Sequence, residues 1–392
     1  MATDAGPRQL LARPERAWWL LPLAATAFVV TRLWTQTELQ RLDFHIYYEA
    51  VHGWQPGSFY DYEHAASGLG FTYPPVSGLV LRPLTMVPFD TAELVWLIAT
   101  ALASLAFLVL AARHLPVRPR WAPTVPILVA VCMLTTPVWL SLRLGQINGF
   151  LALAVLADVL LLSRRWKGSL VGLCGAIKLT PMYAALFFVA ERRWRALGVS
   201  IVSFAGATLL AWAWMPSDSR RYWTVELFAT DRVGELGSNF NNSARRLVDL
   251  VPVASWLQTA LWLVLALVVT VIAVRRARVA LDRSNRLAAI TVVMCAGLAV
   301  APISWSHHLY FVLPAILLLV GSGLSMPRNI AAAILTFLLV ETQDPGQDPA
   351  AAAWRAVALL AVVFLLPLDE AESAVGTDAP ELDVDGAADV SA

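Results

Sequence analysis

Apolar stretches close to twenty residues long recur through the 392-residue chain, separated by short segments that are basic or rich in proline and glycine. A helix needs about 20 apolar residues to cross the hydrocarbon core of a bilayer. Backbone groups must find their partners inside that core, so such runs should be helices. Hydrophobic residues make up 58% of the chain and charged residues 15%, against roughly 25% charged in an average soluble domain. The expected class is all-α, a polytopic membrane protein with about 10–12 transmembrane helices.

Spans are expected near residues 17–36, 90–112, 121–141, 147–163, 196–215, 256–274, 286–303, 309–325, 328–341 and 353–368. Segments 76–88 and 168–190 are less regular. The second carries Lys178-Leu179-Thr180-Pro181 at its middle. Its halves are too short to cross separately, which points to a broken or re-entrant helix pair walled by protein or a water-filled cavity. Arg8, Arg13 and Arg16 precede the first span, and Thr31-Arg32-Leu33-Trp34 closes it where a cleaved signal would need small residues. The first run is therefore expected to persist as a span. The organisation expected is a cytoplasmic N-terminal segment 1–16, a membrane domain 17–368 whose first outer loop covers 37–75, and a tail 369–392.

The tail holds eight acids and no base, so the rest of the chain carries 29 bases against 20 acids. Without aromatic residues the tail cannot bury enough apolar area to offset its ordering entropy, and it reads as disordered. Cys132, Cys174 and Cys295 lie inside apolar runs without C-x-x-C spacing, which suggests neither a disulfide frame nor a metal site. Bases gather in four short loops, at Arg113, Arg118 and Arg120; at Arg164, Arg165 and Lys167; at Arg192, Arg193 and Arg195; and at Arg275, Arg276 and Arg278. With the spans counted as above, all four share the side of the N-terminus, which the positive-inside rule makes the cytoplasm. The other side then receives Asp43 to Tyr73, the Gly145–Asn148 corner, the 216–255 loop and Ser304–His308. The expected localisation is the cell membrane, multi-pass, with these polar blocks on the extracytoplasmic side.

Asp43 stands just beyond the first span. An acid there can be a solvated cap, and the nearby His45, Tyr47, Tyr48, Glu49, His52 and Trp54 can be an interfacial aromatic belt. Equally, the rings can stack on sugars while Asp43 takes a proton. Lys178 lies about ten residues from either end of an apolar segment, a position that marks function by default, with snorkelling as the competing reading. An anion such as phosphate is the natural partner of its ammonium. His307 and His308 are adjacent, so on a helix they diverge by about 100° and one can hold a phosphate while the other packs. No H-E-x-x-H pattern occurs, and no zinc site is expected. Asn241 and Asn242 with Arg245 and Arg246, and Gln146 and Asn148 beside Arg143, can serve sugar hydroxyls and anions or be ordinary turns.

Taken in order, Asp43, Phe71-Thr72-Tyr73-Pro74-Pro75, Gly145-Gln146-Ile147-Asn148, Lys178-Leu179-Thr180-Pro181, Phe240-Asn241-Asn242-Ser243 and Ser304-Trp305-Ser306-His307-His308 give the chain a family likeness. Over about residues 17–325 it resembles the actinobacterial polyprenol-phosphate-mannose-dependent alpha-1,2-mannosyltransferases of glycosyltransferase family 87, in the GT-C superfamily. The resemblance implies a GT-C membrane fold with its active site on the outer face. It implies a catalytic aspartate in the first outer loop, matching Asp43, and a donor-phosphate contact from His307 or His308. It further implies polyprenyl-phosphate-mannose as donor and a glycolipid acceptor of phosphatidylinositol mannoside or lipomannan type, among membrane lipids and without nucleic acid. Family members often read Asn-Gln-Ser where this chain has Asn241-Asn242-Ser243. The family also contains arabinofuranosyltransferases using a polyprenyl-phosphate arabinose, so these motifs leave the sugar open.

A phosphate leaving group needs no general acid, so one base suffices where glycoside hydrolysis needs two carboxylates. The roles expected are Asp43 as catalytic base, with Lys178, His307, His308 and Arg143 at the donor phosphate. His45, Tyr48, Tyr73, Gln146, Asn148, Asn241 and Asn242 are expected to meet sugar or acceptor. No cofactor is expected, and the absence of a D-x-D motif from the Asp43 loop predicts a metal-independent reaction. The rival reading is a lipid-phosphate flippase, which would want a buried lysine and no base at Asp43.

Overall fold

The structure is a computed structural model that describes residues 14–35, 41–229, 238, 240–340 and 349–369. The acidic tail expected to be disordered lies outside the described residues except for Asp369, which pairs with Arg328 at 2.7 Å, and most of the N-terminal segment lies outside them too. Among the described residues all regular structure is helical apart from one isolated bridge, Glu63 to Gly70. In chain order the helices are α1 Pro14–Ala17, α2 Leu20–Trp34, α3 Leu42–His52, α4 Pro75–Leu81, α5 Phe89–Arg113, α6 Thr124–Met133, α7 Thr136–Leu144, α8 Asn148–Leu160 and α9 Ser169–Ile177. They continue with α10 Ala185–Ala190, α11 Trp194–Trp214, α12 Pro216–Thr224, α13 Ala244–Asp249, α14 Ser255–Asp282, α15 Arg286–Val300, α16 Val312–Val320, α17 Met326–Leu338 and α18 Pro349–Leu365. Short 3₁₀ turns occupy Thr180–Ala184 and Ser306–Phe311.

Each expected span has a helix, though most are shorter than the apolar run that announced them. By length and apolarity α5, α11 and α14 are each able to cross a membrane, and α6 with α7 qualifies as a pair bent by 40°. By contrast α2, α8, α15 and α17 have 13 to 15 residues, about 20–23 Å at 1.5 Å per residue. Local chemistry sets these lengths. Pro137 has no N–H to offer the Met133 carbonyl, which breaks the expected 121–141 span into α6 and α7. Pro302 follows α15 and holds Ala301 extended, at φ −56° and ψ 144°.

Burial follows the membrane pattern. The α15 helix is buried along nearly its whole length, while α14 buries a narrow stripe at Val269, Ala273, Ala277 and Ala280 and turns Leu263, Val264 and Leu267 outward. The α11 helix likewise exposes Val202, Leu209 and Leu210. An apolar exterior over a small-residue seam suits a lipid-facing helix.

Polar contacts sort to two ends. At one, Asp158 near the end of α8 accepts from Gly168 and Val171 at the start of α9. Arg286 at the start of α15 pairs with Glu191 just beyond α10 and donates to the Val159 carbonyl. Arg283 after α14 donates to the Leu368 carbonyl beyond α18 at 2.7 Å. At the other end lie α3, the Gly145–Asn148 corner, Lys178 and Ser304–His308. Both limbs of the 168–190 segment therefore leave from and return to the basic end, with Lys178 at the apex. The segment is a re-entrant hairpin, one of the two forms the sequence allowed.

Candidate active site

Asp43 occupies the first turn of α3, where a helix N-terminus favours a carboxylate. The start of α3 is held by a 2.6 Å ion pair between Arg41 and Glu93 of α5, and by Phe44 packed against Phe89 and Trp96. Gly145, at φ 73°, closes α7 directly against this turn. A Cβ on Gly145 would fall 2.4 Å from Cβ of Phe44, so only glycine lets the corner approach α3 this closely. Trp96 Nε1 fixes the corner by donating to the Gly145 carbonyl at 2.7 Å.

That approach sets Gln146 Nε2 2.7 Å from Asp43 Oδ2. The Gln146 carbonyl oxygen accepts from the Tyr73 hydroxyl at 2.8 Å, and Tyr47 shares a 2.8 Å hydrogen bond with Tyr73. Tyr73 itself is held through its backbone, whose carbonyl accepts from Tyr60 at 2.8 Å. Burial pushes the Asp43 carboxyl up to about 6, opposed by the Gln146 hydrogen bond and the charge of Lys178. Burial also raises the hydroxyls of Tyr47 and Tyr73 above the ordinary tyrosine range, so both remain protonated donors.

Lys178 reaches the same point from the hairpin apex. Its backbone is extended, at φ −147° and ψ 126°, because Pro181 cannot donate to the Ile177 carbonyl and α9 ends there. Buried in the protein, its Nζ donates to Tyr73 at 2.9 Å and to Asn148 Oδ1 at 2.9 Å, with Gln146 Oε1 at 3.5 Å. The ammonium lies 4.7 Å from the Tyr73 ring centroid. His308 Nε2 stands 3.4 Å from Nζ. Its Nδ1 accepts from the Trp305 backbone N–H at 3.3 Å, which assigns the ring proton to Nε2. Two nitrogen donors thus stand side by side, a pairing suited to binding an anion. Beside them a cavity of about 50 Å³, lined in part by Leu151, Pro181 and Met294, runs into apolar surroundings.

The structure gathers Asp43, Tyr73, Gln146, Asn148, Lys178 and His308 into one cluster. His307 joins through its backbone, whose carbonyl accepts from Asn148 at 2.8 Å, while its buried Nδ1 has no hydrogen-bond partner. The two imidazoles do not diverge as on a regular α-helix: they meet edge to face, with ring centroids 4.6 Å apart and planes at 85°.

Four kinds of expected site residue lie elsewhere. His45, two positions from Asp43 and so on another face of α3, packs its ring against Phe89 and His64. Tyr48 donates its hydroxyl to the Val87 carbonyl at 2.8 Å. Arg143 is exposed in the last turn of α7 and does not join the Lys178–His308 contacts. Asn241 and Asn242 are fully buried braces: Asn241 accepts from Ser304 N–H and donates to the Pro302 carbonyl, and Asn242 donates to the Ser304 carbonyl. Their amides hold the Ser304–His308 turn in place instead of facing the cluster.

Three contributors have no individual role in the sequence pattern, Tyr47 standing there only among the rings near Asp43. Tyr47 lies four residues after Asp43, on the same helical face, and that spacing was the available signal. Tyr60 and Asp218 had none. Asp218 of α12 is fully buried and clamps the first loop by accepting from Trp54 Nε1, Gly57 N–H and Phe59 N–H at 3.1, 3.0 and 2.9 Å.

Comparison with known proteins adds an independent line. The model of glycosyltransferase family 87 matches residues 71–304. A polyprenol-phosphate-mannose-dependent alpha-(1-2)-phosphatidylinositol pentamannoside mannosyltransferase of Mycolicibacterium smegmatis is 32% identical over 360 residues, 88% of this chain and 82% of the relative. A polyprenol-phosphate-mannose-dependent alpha-(1-2)-phosphatidylinositol mannoside mannosyltransferase of Mycobacterium tuberculosis is 30% identical over 337 residues, 81% of this chain and 78% of the relative. No solved structure matches. With the family match covering more than half the chain and the cluster assembled from the same blocks, this protein belongs to glycosyltransferase family 87.

Proposed function

We propose that this membrane glycosyltransferase moves a mannosyl residue from polyprenyl-phosphate-mannose to a hydroxyl of a phosphatidylinositol mannoside, forming an alpha-1,2 linkage with inversion. The observation that carries this reading is the approach of one carboxylate, Asp43, to a paired cation and imidazole, Lys178 and His308, through the shared contacts of Gln146 and Tyr73. The acceptor oxygen attacks the anomeric carbon as the bond from that carbon to the phosphate oxygen breaks. The bonding electrons leave with the phosphate, and the acceptor proton passes to Asp43. Attack in line on a beta-linked donor gives the alpha product.

A carboxyl raised to about 6 is a stronger base than an ordinary aspartate yet still ionised at neutral pH. Lys178 and the His308 Nε2–H are pre-aimed donors for charge that builds on the departing phosphate, where such electrostatic stabilisation is strongest. His307, with its buried Nδ1 unpartnered, is a further donor or acceptor for that group. Asn148 orients Lys178, and Gln146 orients Asp43.

The outer membrane face is the assigned side of the reaction. The four basic loops support it, because under the positive-inside rule they belong in the cytoplasm and the Asp43 cluster lies at the opposite end.

Purified protein with radiolabelled polyprenyl-phosphate-mannose and phosphatidylinositol mannosides should yield a mannosylated glycolipid on chromatography. Product from the polyprenyl-phosphate arabinose donor and none from the mannose donor would overturn the choice of sugar. Undiminished product from Asp43→Asn would overturn the assignment of Asp43 as the catalytic base.

A further inference from the structure

The C-terminal end of α11 leaves a second cleft on the same end of the molecule, separate from the Lys178 cavity. Val51 and Trp54 from the end of α3, Leu79 and Arg82 from α4 and the turn after it, and Leu210 and Trp214 from α11 line a hollow of about 300 Å³. Its size is at the lower end of the range for small-molecule clefts. Gly78 shapes the floor, since a Cβ there would meet the buried Phe59 ring at 2.8 Å. The wall is continuous with the apolar exterior of α11, where Leu209, Leu210 and Trp214 are exposed. Tryptophans at a helix end mark the bilayer–water boundary.

Arg82 gives the cleft a charge. It is exposed, and its recorded hydrogen bond runs to the Val51 carbonyl at 3.1 Å. Arg41, Arg221 and Arg245 at the same end each pair with a carboxylate, whereas Arg82 meets none among the described residues. An apolar trough with an unneutralised guanidinium at its rim is complementary to an acyl chain with a phosphodiester at its head. The donor lipid carries one phosphate, and Lys178 with His308 already serves it. A second cation beside a second apolar trough therefore calls for a second amphiphile. Val51 lies eight residues along α3 from Asp43, about 12 Å by helical rise, which leaves room for sugar between head group and base.

We propose that this cleft seats an acyl chain of the glycerophospholipid acceptor, with Arg82 on its phosphodiester. The proposal rests on the reading of the acceptor given above, and two measurements keep the two ideas apart. In the first, a phosphatidylinositol with a photoreactive diazirine in its acyl chain is irradiated with the intact protein in detergent, and adducts are mapped by mass spectrometry. Labelling at residues 51–54, 79–82 and 210–215 is expected, with at least fivefold less labelling there from a polyprenyl phosphate bearing the same group. Equal labelling by both probes, or absence of these peptides from the adducts, would overturn the proposal whatever the enzyme transfers.

In the second, Leu210→Trp fills the trough and Arg82→Gln removes the charge. Each should raise KM for an acylated acceptor about tenfold while KM for the polyprenyl donor, and Leu210→Trp activity on a deacylated acceptor, stay within twofold. A rise in donor KM from either variant, or equal loss from Leu210→Trp on acylated and deacylated acceptors, would sink the assignment. Failure of the unmodified protein to transfer mannose at all would instead count against the mannosyltransferase reading.

Discussion

Asp43 and Asp158 sit at opposite ends of the same helical body, each with a lysine in the neighbourhood, and they are satisfied in different ways. Asp158 accepts from two backbone N–H groups at 2.6 and 3.0 Å, while Lys167 turns to the carbonyls of Asp158 and Val159 at 3.1 and 2.7 Å. Each charge there finds main-chain partners within a single tight turn between α8 and α9. Asp43 receives one hydrogen bond, from a glutamine amide, and Lys178 rests on neutral oxygens with an imidazole N–H opposite. The first arrangement is closed, and the second retains unused electrostatic capacity. A buried charge held by fixed dipoles stabilises a fold, whereas buried charges left partly unanswered are available to a reacting ligand.

The sharpest way to break this contrast is to neutralise each acid. Asp43→Asn should lower transfer by about 10²–10⁴-fold, the usual contribution of a positioned base, with the thermal unfolding of the detergent-solubilised protein little changed. A loss below tenfold in the radiolabel assay would remove Asp43 from the chemistry. Lys178→Met should follow with about 10²–10³-fold, because it deletes one preorganised donor for the leaving phosphate. Single-turnover measurements at saturating donor separate that loss from weaker binding.

Asp158→Ala should behave in the opposite sense. Two N–H groups at the start of α9 lose their acceptor, at about 1–3 kcal/mol for each buried group left unpaired. Tryptophan fluorescence should report a lower melting temperature, while activity per folded molecule stays within tenfold of the parent. A stable but inactive Asp158→Ala protein would erase the distinction between the ends.

The smallest expected effect concerns pH. A carboxyl raised to about 6 is ionised above that value and protonated below it, so transfer should be present at neutral pH and decline as pH falls through about 6. The Gln146 hydrogen bond favours the carboxylate, so Gln146→Leu should raise the carboxyl further and move the acid limb to higher pH. A profile of kcat/KM against pH that is unmoved in this variant would disconnect Gln146 from Asp43.

How far the site could be read in advance differs from residue to residue. Lys178 was legible because an ammonium within an apolar run is costly wherever it lies, and Pro181 marked the helix break beside it. Asp43 was legible as a carboxylate in an aromatic loop, yet its neighbours were not. His45 and Tyr48 looked as suitable for sugar as Tyr47 and Tyr73, and only the facing of α3 against α5 separates them. Asn241 and Asn242 carry the right amides, but the Ser304 turn absorbs them because its own backbone groups are buried and need partners. Helix lengths show the same limit: hydropathy located the runs, while prolines and the Gly145 corner decided where hydrogen bonding stopped.

By itself the chain determined a helical membrane body, one basic end, and the presence of a buried lysine and an interfacial acid. Those properties depend on local composition, since the cost of placing charge or bare backbone in hydrocarbon is incurred residue by residue. Tertiary structure alone decided which groups meet. Asp43 and Gln146 are 103 positions apart, Lys178 and Tyr73 105, and Lys178 and His308 130. Hydrogen bonds require approach within about 3 Å and correct direction. Here that approach comes from the absent side chain of Gly145 and from the re-entrant hairpin that lifts Lys178 to meet Asp43's end of the bundle.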